Sequence, residues 1–351
     1  MNEISARLLK WYDFHCRELP WRATRNPYYI WISEIILQQT RVSQGYDYFL
    51  RFIERFPTVE SLAVAPEDDV MRMWQGLGYY SRARNLHAAA KQIVAMGHFP
   101  DTYESIYSLK GVGDYTAAAI ASFAYDIPKA AVDGNVCRLW ARMFGIADAI
   151  DTALGKQVIS AVAQSLLPLN DAAKYNQASM EFGALQCIPR NPNCDVCPLS
   201  DKCVAYAEDR VGVLPVKSHK VKVTPRFLSY LYIHNEEMLL LRKRTAKDIW
   251  RNLYELVLIE SADEMSEDAF LATPEFAAWQ TRVGDNVYKG CVRGVKHVLS
   301  HRILHTSFYE LEVHGKLVCP DGYVCIPFAD LDHYALPRLI DKYLKNEKSP
   351  L

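Results

Sequence analysis

Excess charge of either sign is missing from this chain: 40 Lys and Arg stand against 41 Asp and Glu in 351 residues, a formal net charge of -1. No global positive field gathers polyanions, although a near-neutral total can still conceal a basic face. Apolar runs of membrane-spanning length are also missing. The N-terminus, MNEISARLLKWYDFHCRELPW, mixes charges through an amphipathic pattern and has no continuous apolar core of the kind a signal peptide needs. These absences point to a soluble, cytoplasmic protein. Internal repeats and low-complexity tracts are absent too, which sets repeat architectures aside. The nine cysteines are an odd number and do not suit a complete disulfide framework; clustered thiols in a reducing compartment serve a metal better.

What is present is ordinary globular composition, half hydrophobic and 23% charged, at a length that predicts two domains with separate cores. The first two hundred residues read as helical almost throughout. YYIWISEIILQQT, AAAKQIVAM and KQVISAVAQSLL carry apolar residues at helical spacing between short Gly, Pro and Asn breaks. Near residue 205 the texture changes. RVGVLPVKSHKVKVTPRF reads as a linker, and the runs after it, LSYLYIHN, MLLLRKR, LYELVLIE and TSFYELEVHG, have strand character. A helical piece, SEDAFLATPEFAAWQTRV, and the C-terminal LPRLIDKYLKN complete a smaller α+β domain. The expected boundaries are 1–205, a linker over 206–226, and 227–346.

The strongest chemical signal is CIPRNPNCDVCPLSDKC. Cys187, Cys194, Cys197 and Cys203 are spaced C-x6-C-x2-C-x5-C, with prolines stiffening the loops between them. Four soft thiolates at this spacing can hold a tetrahedral zinc or an iron–sulfur cluster. Upstream, LKGVGDYTAAAI places Gly111, Val112 and Gly113 immediately before a helical run. Such a turn is either a plain helix-to-helix connection or a neutral anion site, in which successive backbone N–H groups grip a phosphate. Two carboxylates stand out. Glu34 is the one acid among Trp31, Ile32, Ile35 and Ile36. If desolvated there, it stays protonated and can act as a general acid. Asp133 opens the helical stretch DGNVCRLWARMFG, where an Asp caps a helix or, beside Asn135, does chemistry.

Together, PWR at 20–22, SEIILQQT at 33–40, GLGYYSRARNL at 76–86, the glycine turn, VDGNV at 132–136 and the four-cysteine loop resemble the helix-hairpin-helix DNA glycosylases. The resemblance is to their adenine-removing branch, which acts on adenine mispaired with 8-oxoguanine. It implies an all-α helix-hairpin-helix domain with a [4Fe-4S] cluster on the four cysteines, plus an α+β Nudix-like C-terminal domain that recognises 8-oxoguanine. It also implies a monomer acting on double-stranded DNA at the bacterial nucleoid. Glu34 is then expected to protonate the leaving base at N7. Asp133, ionised, is expected to stabilise or briefly capture the oxocarbenium-like sugar, with Tyr115 and Asn135 orienting the pair. Gln39 and Tyr79 are expected at the DNA stack and Thr40 in contact with the DNA, with Arg22, Arg82, Arg84, Gly111, Val112 and Gly113 on the backbone. Trp21, Arg22, Leu37 and Gln177 should line the pocket for a flipped adenine. Leu299, Ser300 and His301 take the place of the family's Phe-Ser-His that reads 8-oxoguanine, with Leu299 departing from its aromatic residue.

Three other functions compete. An endonuclease III type glycosylase/lyase needs an amine for Schiff-base chemistry. Its hairpin lysine corresponds to Tyr115 here, and a phenol cannot form an imine; Lys110 precedes the turn, where the family usually has proline. A non-catalytic iron–sulfur DNA-binding protein leaves Glu34 and Asp133 without a task. A nucleotide hydrolase needs the helix G-x5-E-x7-R-E-x2-E-E, which LYELVLIESADEMSEDAFL does not supply.

Overall fold

A computed structural model describes residues 2–218 and 223–346. The helices before the break are α1 (Glu3–His15), α2 (Pro27–Leu37), α3 (Val42–Arg55), α4 (Val59–Val64), α5 (Glu67–Met73), α6 (Ser81–Met96), α7 (Tyr103–Tyr107), α8 (Asp114–Tyr125), α9 (Gly134–Met143), α10 (Ala153–Leu166), α11 (Ala172–Leu185) and α12 (Val204–Ala207). By packing, the described residues up to Val64 and from Asn85 to 218 form one compact unit; Ala65–Arg84 and the described residues after the break form the other.

Starts of the helices follow local chemistry. Asn26 caps α2 by accepting from the Tyr28 N–H at 2.9 Å, and Pro27 presets its first turn. Thr152 caps α10, and Asp133 caps α9. Helix α2 is apolar on nearly every side, and such a helix has to lie within the unit rather than on it. Around α1, α9, α10 and α11 the core gathers Leu8, Trp11, Trp140, Tyr175 and Phe182, and Cys187, Cys197 and Cys203 pack against its edge. Gly183 marks where α11 meets the start of α9: a Cβ there would come within 2.7 Å of the Asn135 carbonyl oxygen.

The region read as a linker has structure at both ends. Leu214 O accepts from Arg142 Nε at 3.0 Å, and Val216 O accepts from Ile150 N at 3.0 Å, so these residues belong to the helical unit's surface. The strand opening the sheet starts at Thr224, and residues 219–222 lie outside the described residues.

In the second unit a sheet is built from β1 (Thr224–His234), β2 (Met238–Lys243), β3 (Tyr254–Glu255), β4 (Val257–Ser261), β5 (Asn286–Val298), β6 (Arg302–Val313) and β7 (Val324–Pro327). The order is β3-β2-β1-β6-β5, with β4 also paired to β1 and β7 to β2. Strands β1 and β6 run parallel from Thr224/Arg302 to His234/Glu312; the other pairings are antiparallel. The expected single helical piece after β4 is two helices, α13 (Glu267–Leu271) and α14 (Pro274–Arg282), because Thr273 caps a new helix that Pro274 begins. The chain ends its described part in α15 (Arg338–Asn346). Strands β5 and β7 carry no strand signal in the sequence reading. Most of β5 is exposed, so it lacks an apolar alternation, and Gly290 and Gly294 accompany its two register shifts.

Candidate active site

Glu34 sits in the middle of α2 and is 7% exposed, which excludes a solvated helix carboxylate. Its Oε2 accepts a hydrogen bond from the Tyr115 hydroxyl at 2.6 Å. Burial pushes the Glu34 carboxyl up to about 7; the Tyr115 bond opposes the rise, the nearby Asp133 adds to it and Arg22 opposes it. Near neutral pH this acid therefore exchanges its proton readily. Tyr115 is the second residue of α8, itself buried, and its own pKa is raised by burial and by the charges of Glu34 and Asp133.

Asp133 is a helix cap, and that cap is what fixes its geometry. Its Oδ1 accepts from the N–H groups of Asn135 at 2.9 Å and Val136 at 2.8 Å, while Oδ2 accepts from Asn135 Nδ2 at 2.7 Å. Burial raises its pKa, and these three donors together with the charge of Arg138 limit the rise. Asn135 is held in turn, because Arg138 Nη2 donates to its Oδ1 at 2.9 Å and to Gly183 O at 2.5 Å. Arg138 Nε reaches Cys187 O at 2.8 Å. One turn further along α9, Arg142 donates to Cys187 Sγ at 3.4 Å and to Ile188 O at 2.8 Å. A single helix thus carries the Asp133 carboxylate at its start and two arginines that brace the cysteine loop along its length.

All four cysteines, Cys187, Cys194, Cys197 and Cys203, line one apolar cavity with Leu139, Met143 and Phe182. Four thiols lining one apolar cavity, with a guanidinium at one sulfur, suit in their chemistry a cluster of net negative charge. They are the residues that would hold it.

A second cavity, of about 1280 Å3, is lined by Glu34, Tyr115, Asp133 and Asn135 together with Trp21, Arg22, Leu37, Gln39, Thr40 and Gly113. It is roomy enough for a base with its sugar, beyond the usual size of small-ligand pockets. Trp21 is a buried wall, edge-on to Phe49 with ring centres 5.1 Å apart. At the turn before α8, Gly111 has φ +78, and a Cβ there would lie 2.5 Å from Asn85 Cβ, so only glycine fits. Val112 is buried, and Gly113 caps α8 with no capping side chain, leaving the helix start open to an anion. Gln39 and Tyr79 are exposed and both hold left-handed backbone, φ +56 and +45, a conformation that non-glycine residues adopt only when their surroundings enforce it.

Some expected residues are placed differently. Arg82 is 9% exposed and turned inward: its Nη2 donates to Leu77 O and Gly78 O at 3.2 Å, bracing the GLGYY turn in place of meeting solvent. Arg84 donates to Arg251 O at 2.8 Å. Gln177 stands outside the cavity lining, its carbonyl accepting from Tyr12 OH at 2.8 Å. In the second unit, Leu299, Ser300 and His301 form the tip between β5 and β6, closed by Leu299 N donating to Arg302 O at 2.8 Å; Ser300 is hydrogen-bonded to Tyr79. Sequence reading missed Arg138, Arg17 and Glu181. Arg138 had a signal, one helical turn after Asn135, whereas Arg17 and Glu181 are 164 positions apart and had none.

This geometry has relatives. Residues 32–163 match the model of the HhH-GPD superfamily base excision DNA repair proteins, 187–203 the iron-sulfur binding domain of endonuclease III, and 229–346 the NUDIX domain. An adenine DNA glycosylase of Buchnera aphidicola subsp. Acyrthosiphon pisum is 32% identical over 359 residues, covering 98% of this chain and 97% of that one. The chain belongs to the adenine DNA glycosylases. A second member, from Buchnera aphidicola subsp. Baizongia pistaciae, is 33% identical over 305 residues, covering 86% of this chain and 83% of the relative. Among solved structures, a thermostable thymine-DNA glycosylase covers 58% of this chain and 95% of its own at TM-score 0.55 and 28% identity. As an adenine DNA glycosylase the chain is a base excision repair hydrolase acting on N-glycosyl bonds, with an iron–sulfur cluster loop, a helical glycosylase domain and a Nudix-like domain. Among the described residues no helix is long and apolar enough to cross a membrane.

Proposed function

We propose that this glycosylase removes adenine paired with 8-oxoguanine or guanine and stops at the abasic site, without efficient strand cleavage. The observation that carries the chemistry is the buried Glu34 in hydrogen bond with Tyr115, on the same cavity wall as the capped Asp133. With adenine flipped into the cavity, Glu34 gives its proton to N7, so the base leaves neutral. Asp133, aimed by Asn135 and two backbone N–H groups, stabilises the cationic sugar or captures it until water attacks. The phenol of Tyr115 occupies the place of the lyase lysine and is committed to Glu34. Lysines do line the cavity, among them Lys129, whose nitrogen lies 4.4 Å from the centre of the Tyr103 ring. None of the lining lysines stands in the Asp114-Tyr115 step directly after the glycine turn.

The helical domain to about residue 205 would flip and excise the base, and the Nudix-like domain from about 227 would read the opposite base through Ser300 and His301. The missing glutamate-rich helix supports binding without diphosphate hydrolysis. Single-turnover release on duplexes containing 8-oxoguanine:A, G:A, T:A and 8-oxoguanine:C, with and without alkaline workup and with borohydride trapping, tests this. Release from the first two alone, with strand scission only after alkali, is expected. Scission without alkali at the rate of base loss, or equal release from T:A, overturns the corresponding half.

A further inference from the structure

Glu181 is a charge that the mechanism above does not use. It lies on α11, is 1% exposed, and lines the same cavity as Glu34 and Asp133. Its Oε1 accepts from Arg17 N at 3.0 Å and Arg17 Nε at 2.7 Å; its Oε2 accepts from Arg17 Nη2 at 2.7 Å and Arg22 Nη2 at 2.6 Å. Arg22 is tied a second time, by Nη1 to Arg17 O at 3.1 Å. A buried carboxylate is costly unless its lone pairs are filled by donors, and here four bonds fill them. Burial would raise the Glu181 carboxyl, but the hydrogen bonds from Arg17 and Arg22 outweigh it and hold it down at about 2. It is therefore ionised at any working pH.

We propose that Glu181 is a positioning residue for base release: by neutralising and tethering Arg22 at the cavity wall, it keeps a free guanidinium from reaching Glu34, and so preserves the proton that acid must deliver. Without the carboxylate, two guanidiniums lose their partner, and Glu34 and Asp133 are carboxylates of the same cavity lining. An Arg22–Glu34 pair would hold Glu34 ionised and end its role as an acid.

The other groups around the pair do not supply this balance. On Glu34 act Tyr115 from α8, Asp133 from the cap of α9, and Arg22 from the Pro20–Arg22 turn. Helix α3, also packed on α2, contributes only Val42 to the cavity wall among the described residues. On Arg22 act Tyr12 and Cys16 besides Glu181, and Tyr12 places its ring 5.9 Å from the guanidinium. Asp13, on the same helix as Tyr12, is paired with Lys174 at 2.6 Å. Glu181 is the carboxylate hydrogen-bonded to Arg22.

The proposal rests on Glu34 being the acid, and the test separates the two. Single-turnover adenine release is measured on an 8-oxoguanine:A duplex from about pH 5.5 to about pH 9 for the full chain with its cluster, as wild type, Glu181→Gln, Arg22→Gln and Glu34→Gln. Glu181→Gln is expected to move the alkaline midpoint down by about half a unit or more, roughly a threefold loss on that limb. Arg22→Gln is expected to move it up. A uniform slowing of Glu181→Gln at every pH with its midpoint unmoved means a structural role only and overturns the proposal. If Glu181→Gln does not fold, Arg22→Gln decides alone, and a midpoint that fails to rise overturns it. Wild-type release by Glu34→Gln would instead overturn the acid assignment itself.

Discussion

The hydroxyl of Tyr115 donates to Oε2 of Glu34 at 2.6 Å, so the phenol expected where a lyase keeps its lysine is bonded to the carboxyl proposed as the acid. That bond favours the ionised carboxylate, while burial, the larger effect, favours the protonated one. Tyr115→Phe removes the opposing bond, so the alkaline midpoint of base release should rise above that of the wild type. Its plateau should fall by about tenfold, the worth of one hydrogen bond that aims the acid. Single-turnover rates against pH read both changes.

Arg138 links Asn135 to the carbonyls of Gly183 and Cys187. Arg138→Gln loses the fork that holds all three, and Asn135 then aims Asp133 less firmly. Base release should slow by about tenfold or more, with the cluster's visible absorbance retained, because the four cysteines are untouched. A variant that loses absorbance and rate together would place Arg138 in cluster retention alone.

Gly111→Ala forces a Cβ to within 2.5 Å of Asn85 Cβ at a left-handed φ of +78. Thermal unfolding should report a loss of about 1–3 kcal/mol. Duplex affinity should fall further than this destabilisation explains, because the backbone N–H groups of the turn are moved.

The acid limb of stability should bear the mark of Glu181. Its folded pKa, about 2, lies below the unfolded value of 4.5, so its contribution is complete above the unfolded value and is lost as pH falls from there toward 2. The shift corresponds to roughly 3 kcal/mol at most. Urea unfolding should show Glu181→Gln less stable than wild type at neutral pH, the difference closing toward pH 2. Glu34 has the opposite sign: its raised pKa makes protonated burial the stable state, and stability falls as pH rises from 4.5 through about 7.

Much of the helical half was legible because its signals are local. Helical spacing predicted α2, α6 and α10, the cysteine spacing picked out four thiols that do line one cavity, and an acid in an apolar helix raised the choice that burial of Glu34 decides. Strand β5 was not legible, since an exposed strand broken by Gly290 and Gly294 shows no alternation. The inward turn of Arg82 depends on two carbonyls freed by the turn at Gly76–Gly78, which composition does not reveal. Arg17 and Glu181 meet only after folding, and no local pattern marks Glu181 as the carboxylate that folding leaves 1% exposed.

The most direct measurement is single-turnover adenine release by Asp133→Asn beside its affinity for an 8-oxoguanine:A duplex. The amide keeps the shape of the α9 cap but loses the charge proposed to balance the sugar cation. The expected result is duplex binding close to wild type with base release reduced by at least about a hundredfold. Release at the wild-type rate would contradict the two-carboxylate mechanism.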